Sequence, residues 1–160
     1  MATKKKGQDE SELARLFVIG VTLPNGSPYE FNLHDVSWID YEDLSAEVAG
    51  QSQRYAFHAM LHVGVKDALR RAKAAVSRYA VDVSESVRES LGKGATETLV
   101  KQTIAARDEY KVLEARVAEL EATEDRFGVV REALVHRRDM LQSAAMLKAP
   151  EIRTSSRYKV

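Results

Sequence analysis

The sequence predicts a mainly α fold: a long antiparallel helical hairpin of coiled-coil character, preceded by a small N-terminal β-hairpin and assembling as a homo-oligomer. Three observations predict it. Between Leu99 and Leu141 an apolar residue recurs at every seventh position, through Ala106, Leu113, Leu120, Phe127 and Leu134, with Thr103, Tyr110 and Val117 as a second column. Between Tyr41 and Leu91 no proline interrupts the chain, and Tyr55, His62, Leu69, Val76 and Val83 also stand seven apart. The stretch "GKGAT", Gly92 to Thr96, is the one clear punctuation between these runs, and a short glycine turn between two such helices folds one back on the other. A two-helix body buries less apolar surface than a compact domain of equal mass, so self-association is expected.

Taken in order, residues 1–12 are polar and charged and read as a flexible arm. Residues 13–34 hold the β-hairpin. Phe17, Ile19 and Val21 alternate before a turn rich in proline, asparagine, glycine and serine, and Tyr29, Phe31 and Leu33 alternate after it. Such a hairpin is marginal alone and must pack on something. Residues 35–147 form the helical hairpin, with its turn near 92–96. Ser37 or Asp40 is placed to cap the first helix, Trp38 and Tyr41 to anchor its junction with the β-hairpin, and Gly50 and Gly64 to weaken it, with a break expected near Gly50. Leu69, Val76, Val83, Leu99, Leu113, Leu120, Phe127, Leu134 and Leu141 are the expected seam. Pro150 is expected to end the regular region, and residues 148–160 form a basic tail. If the chain reverses about Lys93 and Gly94, Lys73 faces Glu114, Lys66 faces Glu121 and Arg138 faces Glu47.

The 24 basic and 24 acidic residues cancel, so net charge names no partner. Their distribution is uneven. Residues 8–54 hold two basic and nine acidic side chains, and residues 55–93 hold seven basic and four acidic. With no cysteine, disulfides and thiolate chemistry are excluded. No apolar run reaches bilayer length, so no membrane partner is expected, and a soluble protein of a reducing interior is the natural reading.

Enzymatic signatures are absent. "GKGAT" lacks the spacer and preceding strand of a phosphate loop, and neither a hydrolase elbow nor a zinc-protease motif occurs. His58 and His62 stand four apart, a spacing that suits a metal, yet both fall on the seam and read as packing residues. Asp108–Glu109 and Glu124–Asp125 diverge on a helix. Neither a catalytic residue, nor a cofactor, nor a metal is expected.

The basic side chains of residues 62–81 are Lys66, Arg70, Arg71, Lys73 and Arg78. On a helical wheel Lys73 and Lys66 lie roughly 40° and 60° from Leu69, whereas Arg70, Arg78 and Arg71 lie at roughly 100°, 180° and 200°. Arg88 and Lys93 extend the stripe to the turn. Such a stripe matches a phosphate chain without reading bases, and it is equally the wetted side of a helix that pairs with acidic residues of its neighbour. In the tail, Arg153, Arg157 and Lys159 are candidate phosphate contacts, and Tyr158 is a candidate stacking platform.

The segments "DVSWIDYEDLSAEVAGQSQRYAFHAML", "VKDALRRAKAAVSRYAV", "TETLVKQTIAARDEYKVLEARVAELEA" and "REALVHRRDMLQSAAML" resemble the UvsY-like recombination mediator proteins of tailed bacteriophages, from about Asp35 to Leu147. The resemblance implies a non-catalytic accessory protein of DNA recombination and repair in the cytoplasm of an infected bacterial host. It would bind single-stranded DNA, form a ring-like homo-oligomer, and contact a phage strand-exchange recombinase and a single-strand-binding protein. Lys66, Arg70, Arg71, Lys73, Arg78 and Arg88 match the electropositive DNA contacts. The segment Leu16 to Leu33 and the tail beyond Pro150 depart from the pattern. The competing expectation is a helical oligomeric structural or assembly-chaperone protein of a phage that binds no DNA.

Overall fold

A computed structural model describes residues 17–155, and their side chains through 148. The fold is mainly α, with two long helices and a small antiparallel β-hairpin. Strands β1 (Val18–Thr22) and β2 (Pro28–Asn32) pair in register from Val18 opposite Asn32 to Thr22 opposite Pro28. Gly26 takes the positive φ of 85° that closes the turn. A short helix α1 (Leu33–Ser37) follows, capped by the Asn32 carboxamide on the His34 N–H. Helix α2 spans Leu44–Leu91, a 3-10 turn covers Gly92–Gly94, and helices α3 (Glu97–Ala105) and α4 (Asp108–Ser155) complete the order.

The described chain divides into two compact units, residues 17–62 with 126–155, and residues 63–125. In the first, the alternation of the β-hairpin buries Val21 and Phe31. Phe31 meets the Phe127 ring edge-on at 4.8 Å, and Arg126 Nη1 donates to the Gly20 carbonyl at 2.8 Å. A helix thus supplies the support that a two-stranded hairpin needs. Farther along, Ile39, Leu44 and Leu141 form a separate apolar cluster against Ala144. In the second unit Val87, Val100 and Ile104 form the core, flanked by Tyr79, Val83, Leu91 and Tyr110. Both units pair the two long helices antiparallel.

Several boundaries differ from those expected. Helix α2 starts at Leu44, because Asp43, rather than Ser37 or Asp40, accepts the Ala46 N–H through Oδ1 at 3.2 Å. The helix runs unbroken through Gly50 and Gly64. Each glycine costs about 1 kcal/mol against alanine, offset by burial of the adjoining Gln51 and Val65. The second long run is not one helix. Arg107 N–H bonds to the Ile104 carbonyl, three residues back, and this tight turn separates α3 from α4. The Thr103 hydroxyl, donating to Leu99 O at 2.8 Å, adds a known helix-bending contact just before it. Helix α4 continues past Pro150 to Ser155. Proline removes the bond to the Met146 carbonyl and crowds it, close to the helix end and beside the exposed Met146.

Along α4 the buried positions are Leu120, Thr123, Phe127, Val130, Leu134, Arg137 and Leu141, the alternating three- and four-residue spacing of a coiled-coil seam. Leu69 is buried opposite this pattern on α2, while Val76, Val83 and Leu113 are half-buried. Leu99 is 42% exposed. The break at Arg107 resets the helical phase, so the heptad count from α4 does not carry back to α3, where Val100 and Ile104 face inward instead.

Two aromatic expectations also change. Trp38 and Tyr41 are exposed, and the junction is anchored by Ile39 and Leu44. Tyr55 is exposed on the rim of a groove of about 480 Å³ floored by Gln51, Leu134 and Leu141.

His58 packs between the Phe31 and Phe57 rings at 5.5 and 5.3 Å, and its buried Nδ1 has no hydrogen-bond partner among the described residues. Desolvation holds its pKa below the ordinary value of 6.5. Acid therefore protonates the unfolded chain first. The stability contributed by neutral His58 is full above pH 6.5 and is lost as pH falls from 6.5 through the folded-state pKa. Urea unfolding followed across this range is expected to show a steeper acid loss for the wild type than for His58→Phe, and parallel pH profiles would refute the assignment.

Candidate nucleic-acid interface

Helix α2 is continuous from Lys66 through Arg88, so the wheel positions of these cations are real positions on one rod of backbone, and Lys93 lies just beyond it in the 3-10 turn. In the unit of residues 63–125 these cations divide by what holds them. Lys66 Nζ reaches Glu124 at 3.5 Å and Lys73 Nζ reaches Glu121 at 2.8 Å. The hydrogen bond and charge of Glu121, with a smaller contribution from the charge of Glu124, hold the Lys73 ammonium above its ordinary pKa despite some desolvation. Both lysines therefore brace the helix pair, with partners three and seven residues farther along α4 than a symmetric reversal predicts. In the other unit Glu47 pairs with Arg137, not with Arg138, which turns outward to Asp139 at 2.8 Å.

Arg88 is committed at the turn, where Nη2 meets Glu97 at 2.6 Å. Gly92, with φ 73°, lets the chain reverse there, and the Thr96 hydroxyl caps α3 on the Leu99 N–H. Arg70 lies in a highly exposed pair with Asp67 at 3.3 Å, one helical turn away. Arg71 and Arg78 are exposed on the outer side and make no hydrogen bond or ion pair with the described residues. Lys93, in the 3-10 turn, is likewise exposed and unpaired among them.

Sequence reasoning drew its basic set from α2, Lys93 of the turn and the tail, and passed over Lys101 and Arg107. Both lie on the return leg of the same unit without an ion pair among the described residues, Lys101 exposed and Arg107 half-buried. The signal was available in the short turn, which brings α3 back beside the end of α2. Arg153 belongs to α4, whose side chains are described only through 148, and Arg157, Tyr158 and Lys159 lie outside the described residues, as do residues 1–16.

The arrangement can offer guanidinium groups to an anionic chain. Among the described residues no group of three or more histidine, aspartate or glutamate side chains gathers as a metal site, and no helix is long and apolar enough to cross a membrane. Ion pairs on a wetted surface contribute little stability, on the order of 0–1 kcal/mol each. An incoming phosphate can therefore compete for Arg70, whose partner is only the neighbouring Asp67. Compared with family models, with curated proteins and with solved structures, the chain matches none of them.

Proposed function

We propose that the protein is a non-catalytic, sequence-independent single-stranded-DNA-binding protein that acts as a recombination mediator. The observation that carries the DNA reading is the outer face of α2, where Arg71 and Arg78 are exposed without partners among the described residues and Arg70 is held only by a surface pair. Guanidinium groups at this spacing suit phosphates, and no array of amide side chains accompanies them for reading bases. Binding through one short stripe is weak, and repetition in a homo-oligomer would raise it through effective concentration. The mediator role, which adds a strand-exchange recombinase and a single-strand-binding protein as partners, rests on the resemblance of residues 35–147 described above.

A second reading is favoured by the ion pairs of Lys66, Arg70, Lys73 and Arg88. They are what a purely structural helical assembly protein would use its cations for. Anisotropy titrations of labelled single-stranded and duplex oligonucleotides across a salt series, on protein of known solution mass, separate the two. A DNA binder gives saturable single-strand binding that weakens linearly in log affinity against log salt. An oligomer with no anisotropy change even at low salt is the structural protein.

A further inference from the structure

The loop between α1 and α2 exposes aromatic surface where a buried junction was expected. Trp38 is 59% and Tyr41 50% exposed, and on the facing part of α4 Met140 is 51% and Leu147 78% exposed. Tyr41, Met140, Ala144 and Leu147, with His136 and Asp139, line an open groove of about 560 Å³. All of it belongs to the unit of residues 17–62 with 126–155.

The loop is held in this form from beneath. Arg137 Nε donates to the Trp38 carbonyl at 3.0 Å, the Asp40 N–H donates to Glu47 at 3.2 Å, and Lys148 donates to the Tyr41 carbonyl. Ile39, between the two rings in sequence, fills the cluster with Leu44 and Leu141. With Ile39 plugged inward and the flanking carbonyls tied down, the two rings stay on the surface. The exposed His34 ring stacks on Trp38 at 5.3 Å.

The charged side chains of the segment that carries these rings have one sign. From Glu30 to Gln53 the chain carries Glu30, Asp35, Asp40, Glu42, Asp43 and Glu47 and no lysine or arginine. Asp40, Glu42 and Asp43 are exposed in the loop itself, the two aspartates each using one oxygen on a backbone N–H. The cations nearby are engaged, Arg138 with Asp139 and Lys148 with the Tyr41 carbonyl.

Exposed aromatic and methionine side chains beside a shallow groove are the usual anchors of a protein interface, and the carboxylates select the sign of what docks there. We infer that this groove docks a basic amphipathic helix of a partner protein, its apolar side on Tyr41, Met140 and Leu147 and reaching the neighbouring exposed Trp38, and its lysines or arginines toward Asp40, Glu42 and Asp43. Nucleic acid is the wrong occupant, since its phosphates would meet carboxylates. The inference stands apart from the DNA reading and uses none of its residues.

Trp38 is the only tryptophan of the chain and sits three residues before the groove-lining Tyr41 in the same loop, so its emission reports on that loop. Titrating the full chain with a synthetic helical peptide of leucine and lysine is expected to give a saturable blue shift, and the same peptide with glutamate for lysine none. Tyr41→Ala with Met140→Ala is expected to weaken binding about tenfold, and Asp40→Asn with Glu42→Gln about fivefold. Both pairs alter exposed side chains, and an unchanged urea midpoint confirms the fold. Equal response to the two peptides, or wild-type affinity in both variants, overturns the inference. A concentration-dependent shift without peptide also overturns it, assigning the face to a second copy of the chain.

Discussion

Replacing Arg137 by alanine is expected to destabilise the protein by about 3 kcal/mol, enough to lower the urea midpoint by about 1 M or more. Arg137 is 1% exposed at a seam position between Leu134 and Leu141. Its guanidinium donates to the Glu47 carboxylate, the Gln51 carboxamide oxygen and the Trp38 carbonyl, while Gln51 in turn donates to the Leu134 carbonyl at 3.0 Å. Truncation takes a donor from all three acceptors at once, although Glu47 keeps the Asp40 N–H. Arg54, 3.6 Å from Glu47, remains and keeps the loss at the low end for a buried pair. Replacing both charges by apolar residues, Arg137→Met with Glu47→Leu, is expected to recover most of the stability, because two desolvated charges cost nearly what their attraction returns. A loss below about 1 kcal/mol for Arg137→Ala would show that the cluster is not held as described.

The Arg137 cluster also marks where the sequence stops being legible. A heptad count from Leu134 to Leu141 requires an inward residue at the third or fourth position between them, and two adjacent arginines occupy those places. Choosing Arg138 as the partner of Glu47 followed from a symmetric reversal, which the turn and the interruption at Arg107 do not obey. Where the periodic signal is uninterrupted, Leu120, Phe127, Leu134 and Leu141 are readable as inward from spacing alone, while the intervening Thr123, Val130 and Arg137 are not. Across Ala106 the inward positions are not readable, and Leu99 turns outward. The β-hairpin was readable because its alternation and its glycine turn are both local. The exposure of Trp38 and Tyr41 was not, because it depends on which of three neighbouring apolar residues fills the gap above Leu141, and Ile39 does so. For the basic stripe, the wheel separates Lys66 and Lys73 from Arg70, Arg71 and Arg78, yet it cannot show that Arg88 is taken by Glu97 across the turn.

That division of the stripe sets the second large effect. The triple variant Arg70→Glu, Arg71→Glu and Arg78→Glu is expected to lose at least about tenfold in single-strand affinity at low salt, and the salt slope to fall by about 2, three contacts at roughly 0.7 each. The three side chains are exposed and support no core contact, so circular dichroism should remain that of the wild type. Lys66→Gln with Lys73→Gln is the informative contrast. Those lysines are already neutralised by Glu124 and Glu121, so their loss frees two carboxylates near the stripe and removes no phosphate contact. DNA affinity should fall only slightly, with an unchanged salt slope, and stability by a few tenths of a kcal/mol for these part-exposed pairs. If instead the lysine pair lowers the slope and the arginine triple leaves it alone, the phosphates run along the helix–helix flank. If neither changes it, the DNA contact lies away from the central stripe of α2, with Lys93, Lys101 and Arg107 around the turn the next residues to reverse.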